Sequence, residues 1–487
     1  MISFDQLAKE LCLKVWGFHP SRQVKPVHFA NGFFRSLCGQ SGASQLLQKA
    51  AGGFRKGITQ VTTDMFLADI RDKYDPTSSA NPVEKAATLR SALDLVLGQD
   101  RATYPTGPFF SPTLTHHLHT TSDPSDQGTG AFLAHVLCVA DDTTAVEVLR
   151  RSLSSGTDNV YFLTLPLLNK REIGPMPTVG EEFREYIRTS VILDAVQQAF
   201  STVTLYEPRL EKTMFLQRVV TLGSFGIFLH MMNQPRQGVG GQTGLTPILL
   251  CARQSADDLR EASRATFVRG RQQIERTFEE EFTALLQARG EENLSRDEYL
   301  ENARARLPNL GQQSNAGKRE QKVWLRFEQD FSGFLLGSGN PTEAFISASV
   351  RAAFLIMHEA GEDPEGFWTS LGRMAGLVFP RASGRGGKYY LPAPQFLDML
   401  VVALLAPDEE IPMEEFWNRA WQRFGIIVGA RSSLDAARLA SRGIRQVSPN
   451  QLSRNAAEIH AELVRMGHAR EYADDIAMIR TGGMKDE

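Results

Sequence analysis

The chain has little of what usually announces a chemistry. Its 487 residues include only four cysteines, Cys12, Cys38, Cys138 and Cys251, and no two are close in sequence. That excludes a CxxC pair and a disulfide framework, and it fits a reducing compartment. Lysine is scarce, 13 residues against 40 arginines, so exposed cations are mostly guanidiniums, suited to phosphate and carboxylate. The arginine bias also fits a GC-rich bacterial genome. No sign of charge dominates: the formal net charge is -3, so no global field draws the protein to nucleic acid or acidic membrane. The first residues, MISFDQLAKEL, have no basic stretch followed by an apolar core, so no signal peptide is expected. The longest apolar run, Met214–Met232, is interrupted by Gln217, Arg218 and His230 and predicts a buried core helix rather than a membrane span. The expectation is a cytoplasmic protein without membrane contact.

Catalytic signatures are missing as well. There is no GxxxxGK[ST] loop. Gly238–Gly244 (GVGGQTG) precedes a strand-like run instead of following one and has no lysine, so it does not fit a phosphate loop. No GxSxG elbow occurs. Glu279–Glu281 and Asp408–Glu410 read as charge runs on a helix face and a helix flank. Lys322, Glu328 and Asp330 lie on a helical pattern in the wrong order for a nuclease of the PD-(D/E)xK type. His116, His117 and His119, with Asp123, Asp126 and His135 downstream, are the right donor types for zinc or iron. Their spacing matches no helical ligand pair, adjacent histidines are expected to point apart, and the preferred reading is a solvated loop or helix end. No metal and no cofactor are therefore expected.

What is present is helical periodicity. With 42% apolar and 22% charged residues, the composition excludes a disordered chain, a coiled-coil rod and a collagen-like fibre. Phe4, Leu7, Leu11 and Val15 form one stripe, and His28–Cys38, Val83–Leu97, Asp141–Leu153 and Glu181–Phe200 read the same way. Ser255 is expected to cap an amphipathic helix of some 35 residues. Gly337–Gly339 before Pro341 reads as a helix stop followed by a helix start. Strand signals are few: Thr246–Cys251 and Lys388–Leu391, with Val160–Leu168 ambiguous because of Pro166. Breaks are expected at 75–82, 122–130, 311–317 and 381–388. They divide the chain into helical regions 1–125, 126–310 and 311–380 and a compact domain at 381–487. The predicted fold class is mainly α, a multi-domain helical protein.

The C-terminal hundred residues are the most informative. Pro394–Leu405 and Ile411–Phe424 read as helices, with Phe416, Trp417, Ala420 and Phe424 on one side of the second. A short helix Ser433–Ala440 follows, and then a helix Gln451–Met466 with Leu452, Ala456, Ile459 and Leu463 in register, ended by Gly467. His468–Tyr472, the Asp474–Asp475 turn and Ile476–Ile479 fit a hairpin. This order, three helices then a β-hairpin, carried by the ending MGHAREYADDIAMIR, resembles a winged-helix module over about 90 residues. The resemblance implies DNA contact through Arg454 and Arg465 on the last helix and Arg470 and Arg480 on the hairpin. Arg431, Arg438, Arg442 and Arg445 precede them. Glu458 and Glu462 on the same helix, and the acidic hairpin turn, suit docking on a protein instead.

The expected function is a non-catalytic adaptor or DNA-recognition subunit of a larger bacterial DNA-processing assembly. Its partners would be protein subunits such as an ATPase or a nuclease, and DNA. The overall texture is similar to helical accessory subunits of bacterial phage-defence systems. The alternatives are a metal-dependent hydrolase using His116, His119, Asp123 and His135, and a stand-alone transcription regulator.

Overall fold

The computed structural model describes residues 2–39, 116–120, 126–156, 172–234, 244–289, 294–307, 316–380, 387–444, 447–472 and 477–481, with isolated positions within 81–88 and 161–168. The expected breaks at 75–82, 311–317 and 381–388 and the glycine-rich stretch Gly238–Gly244 fall largely outside these residues. So do the Val83–Leu97 helix, most of Val160–Leu168, Asp123 and the Asp474–Asp475 turn. Of the expected break at 122–130 only 126–130 is described, and a helix already starts at Thr129.

The described residues are mainly helical. The helices are α1 (Phe4–Trp16), α2 (Pro26–Leu37), α3 (Thr129–Cys138), α4 (Thr144–Ser154), α5 (Glu181–Arg188), α6 (Val191–Thr204), α7 (Lys212–Met232), α8 (Asp257–Ala288), α9 (Arg296–Arg306), α10 (Ala316–Ser338), α11 (Pro341–Ala360), α12 (Pro364–Met374), α13 (Pro394–Leu404), α14 (Met413–Phe424), α15 (Ser432–Ser441) and α16 (Pro449–Arg465). The strands are short: β1 (Ile248–Leu249), β2 (Val378–Phe379), β3 (Tyr389–Tyr390), β4 (Glu410–Pro412), β5 (Ile426–Ile427), β6 (Ala469–Glu471) and β7 (Ala477–Arg480).

Local chemistry accounts for most boundaries. Ser3 and Gln6 form a capping box at the start of α1, and Gly17, at φ 81°, ends it. Between α10 and α11, Gly339 takes φ 67°, the Asn340 side chain accepts the N–H groups of Thr342 and Glu343, and Pro341 opens the next helix. Two expectations are corrected. The stretch Glu181–Phe200 is not one helix, because Ser190 leaves helical geometry and its hydroxyl caps a second helix by accepting the N–H of Leu193. Ser255 does not cap the long helix: its hydroxyl donates to Asn455 at 2.8 Å, and the helix starts at Asp257.

The chain forms two compact units, each assembled from separated stretches. One comprises residues 1–24, 230–243 and 269–370; the other comprises 25–229, 244–268 and 371–487. The linear division at 125, 310 and 380 is a different partition. In the first unit the core is aromatic, with Phe278 against Phe354 at 4.4 Å between ring centroids and Tyr299 against Phe345 at 4.6 Å. In the second, Phe225 of α7 meets Phe396 at 5.0 Å and Phe424 at 5.4 Å. Among the described residues α7 is the one helix long and apolar enough to cross a membrane, and 89% of its apolar window is buried in the protein.

The strands of the second unit join distant parts of the chain. β1 pairs in parallel with β5, Ile248 opposite Ile426 and Leu249 opposite Ile427. β2 and β3 pair antiparallel. β4 pairs antiparallel with β7, which pairs antiparallel with β6, giving a three-stranded sheet in the order β4-β7-β6.

Candidate functional site

The C-terminal segment presents its arginines unevenly. Helix α16 begins at a Ser448–Gln451 capping box and buries Leu452, Asn455, Ala456, Ile459, His460 and Leu463. Its opposite face exposes Ser453, Arg454, Ala457, Ala461, Val464 and Arg465. Arg431 at the start of α15 and Arg470 on β6 are exposed too. Arg465 forms an ion pair with Glu462, one turn earlier. Arg442 and Arg480 are half-buried, and Arg445 lies outside the described residues.

Arg438 departs most from the sequence expectation. Its guanidinium lies 4.6 Å from the centre of the Trp421 ring and donates to the buried Asp435 carboxylate at 2.9 Å. Asp435 also accepts the N–H of Gly429 at 3.1 Å. This arginine is thus spent on holding α15 to the preceding turn. Burial raises the Asp435 carboxyl above its ordinary range, and the Arg438 hydrogen bond and charge oppose that shift without reversing it.

At the entry to the hairpin lies a polar network that helical periodicity does not specify. Arg218 of α7, only 9% exposed, holds Asp398 of α13 in a fork, Nε to Oδ2 at 2.6 Å and Nη2 to Oδ1 at 2.8 Å. His468, at the entry to the hairpin, approaches the same Oδ1 through Nε2 at 2.9 Å. Burial pushes the Asp398 carboxyl up, but the hydrogen bonds from His468 and Arg218 outweigh it and hold the group below its ordinary value. A cavity of about 310 Å³, lined by Gln217, Thr221, Gln395 and Met466 among others, adjoins this pair. The sequence signal available was the interruption of an apolar helix by Arg218, since a charge on a buried helix needs a buried partner.

The histidine cluster is neither solvated nor splayed. His116, His117 and His119 are 3%, 3% and 5% exposed, and the His116 and His117 rings stack at 4.6 Å. A 3₁₀ turn over His117–His119 bends the backbone enough to bring adjacent rings together. Asp126 serves helix α3, accepting the Gly130 N–H at 3.0 Å, and His135 meets the Phe183 ring edge-on at 5.9 Å. Among the described residues no group of three histidine, cysteine or acidic side chains is arranged to hold a metal ion.

These rings have a consequence for acid stability. Burial lowers His116 to about 3, helped by the charges of His117, His119 and Lys212. Burial lowers His117 to about 4, helped by Lys212 and Arg150, and it lowers the fully buried His230 to about 4. A histidine whose pKa falls on folding binds fewer protons in the native state between that value and about 6.5, so stability is lost as pH drops through this window. The expected slope is up to about 1.4 kcal/mol per pH unit for each such histidine. Melting temperature measured from pH 7 to pH 4.5 should fall steadily, and less steeply in His116→Asn/His117→Gln; a flat profile would contradict the burial of these rings.

The first unit carries the larger groove, of about 1090 Å³. It is lined by residues of α8, α10, α11 and the start of α12. Arg326 and Arg351 both donate to the buried Asp330, at 3.1 and 3.3 Å. Glu275 and Glu365 share Arg271, at 3.7 and 3.5 Å. Burial raises the Glu365 carboxyl, and its hydrogen bond to Glu275 raises it further, so the two carboxyls hold a proton between them more readily than isolated glutamates. Glu279 and Glu280 are exposed on the helix face, as the charge run predicts, and Glu279 also lines this groove.

No family model matches the chain, and neither a curated protein nor a solved structure matches it.

Proposed function

We propose that the protein is a non-catalytic recognition subunit of a larger DNA-processing assembly, and that residues 394–480 form a winged-helix module that contacts DNA. One observation carries the reading. The strand before α14 returns to pair with the hairpin after α16, giving the order β4-β7-β6. This adds a third strand to the helix, helix, helix, hairpin sequence on which the resemblance rests. It sets α16 and the hairpin side by side, and the exposed guanidiniums are those of Arg431, Arg454, Arg465 and Arg470. Guanidiniums so placed suit phosphate, whose neutralisation releases counterions and makes binding strongly salt-dependent.

The test uses the full chain and a labelled duplex, with affinity measured at several salt concentrations. In Arg431→Glu/Arg454→Glu/Arg470→Glu the affinity should fall at least about tenfold, and the slope of log K against log salt should flatten by roughly two to three. A wild-type chain that ignores duplex at about 50 mM salt, or a variant with an unchanged slope, would overturn the DNA reading. A second reading, docking on a protein, is favoured by the small and apolar surface of Ala457, Ala461 and Val464 along α16, with Glu462 beside it.

A further inference from the structure

We propose that the groove of the first unit receives an amphipathic helix of a partner protein, one edge of that helix acidic and the other basic. The proposal rests on the adaptor reading above and names the partner chemistry it requires. Its test involves no DNA, so its failure leaves the DNA contact standing, and failure of the DNA contact leaves it standing.

The floor is apolar and open. Leu325 of α10 is 56% exposed, and Phe354 and Leu355 of α11 lie beside it. The lining residues 321–330 span about 14 Å of α10, or two to three turns, the reach of a docked helix rather than of a compact metabolite. A leucine exposed to that degree between rows of charge is the arrangement of helix-in-groove recognition, where apolar anchors supply affinity and rim charges select the sequence.

The rims are opposite in sign. On the side formed by α10 and α11, Arg326 and Arg351 are 54% and 53% exposed and share the single carboxylate of Asp330, and Arg351 also lies within electrostatic reach of Glu279. Both guanidiniums are positioned in advance, since Arg351 also stacks on Phe334 at 4.5 Å. On the side formed by α8 and α12, Glu275 and Glu365 share a proton as well as the guanidinium of Arg271, so the net negative charge of this side comes from Glu279, one turn along α8. An occupant with one acidic and one basic edge satisfies both rims. A small polyanion meets a lining with more carboxylates than cations, which disfavours it.

The experiment uses three labelled, hydrocarbon-stapled helical peptides with one leucine stripe, differing only at the edges: one acidic and one basic, both acidic, or both basic. Fluorescence anisotropy with the full chain should rank the mixed peptide first, by at least about tenfold over either other. Arg326→Glu/Arg351→Glu should transfer the preference to the doubly basic peptide. Because that variant also strips Asp330 of its partners, Leu325→Glu is measured alongside; it should abolish binding of the mixed peptide at an unchanged melting temperature. Three outcomes would overturn the proposal: no peptide binding below about 100 μM, equal binding of all three, or binding unaffected by Leu325→Glu. Binding of inorganic pyrophosphate that is lost in Arg326→Glu/Arg351→Glu would also overturn it and make the groove a small-anion site.

Discussion

Replacing Asn455 with alanine is expected to be the most destabilising single change in the C-terminal half of the chain. The Asn455 carboxamide is 1% exposed and uses its whole hydrogen-bonding capacity. Nδ2 donates to the carbonyls of Leu250 and Val428, each at 2.8 Å. Oδ1 accepts from the Ala252 N–H and the Ser255 hydroxyl, each at 2.8 Å. Leu250 and Val428 are the first residues beyond β1 and β5, where the parallel pair ends and its carbonyls need new partners. Asn455→Ala leaves two carbonyls and an N–H buried without their amide partner, at about 1–3 kcal/mol each, and leaves the Ser255 hydroxyl only the Cys251 thiol, so a loss of about 4 kcal/mol is expected. That is a large share of the about 5–15 kcal/mol a folded domain has. Asn455→Asp should do no better, because it turns an oxygen toward two carbonyls. Thermal unfolding of the three proteins decides the matter; a shift of less than about 2 °C for the alanine variant, half of what about 4 kcal/mol gives a chain of this size, would refute this account.

The second large effect concerns Arg218 and Asp398. Removing one member of a buried pair strands the other charge, and the cost is about 3–5 kcal/mol. Arg218→Met and Asp398→Leu should each destabilise by that order, while Arg218→Met/Asp398→Leu should cost clearly less than their sum, because neither member of the fork then remains buried alone and the loss of the His468 contact is common to Asp398→Leu and the double variant. Additive losses, or single losses under about 1 kcal/mol, would show the fork to be a solvated contact. The pH dependence has a definite sign. The Asp398 pKa falls on folding, so its contribution is fully present above the unfolded carboxyl value and is lost as pH drops through the lower, folded value. That loss begins at more acid pH than the loss from the buried histidines, which separates the two effects in a titration.

Much of the local structure was legible in the residues. The stripe Phe4, Leu7, Leu11 and Val15 is buried in α1, and Met214–Met232 is a core helix. The GSG-before-proline punctuation separates α10 from α11. These follow from periodicity and capping, which are properties of a few turns. The long-range polar partners were not legible. Arg218 finds Asp398 across 180 residues, and Ser255 finds Asn455 across 200. Nothing in either local pattern specifies the other. Arg438 looked like every other arginine in its segment until Trp421 and Asp435 were seen around it.

The sequence by itself determined the helical class, the buried character of α7, and the capped helix and hairpin at the end of the chain, because hydrophobic spacing and cap chemistry act between neighbouring residues. Only the tertiary structure decided which arginines face solvent, which carboxylates share a cation, and where an apolar floor lies between opposite rims. Those properties depend on which distant segments pack together, and a segment alone carries no record of its partner.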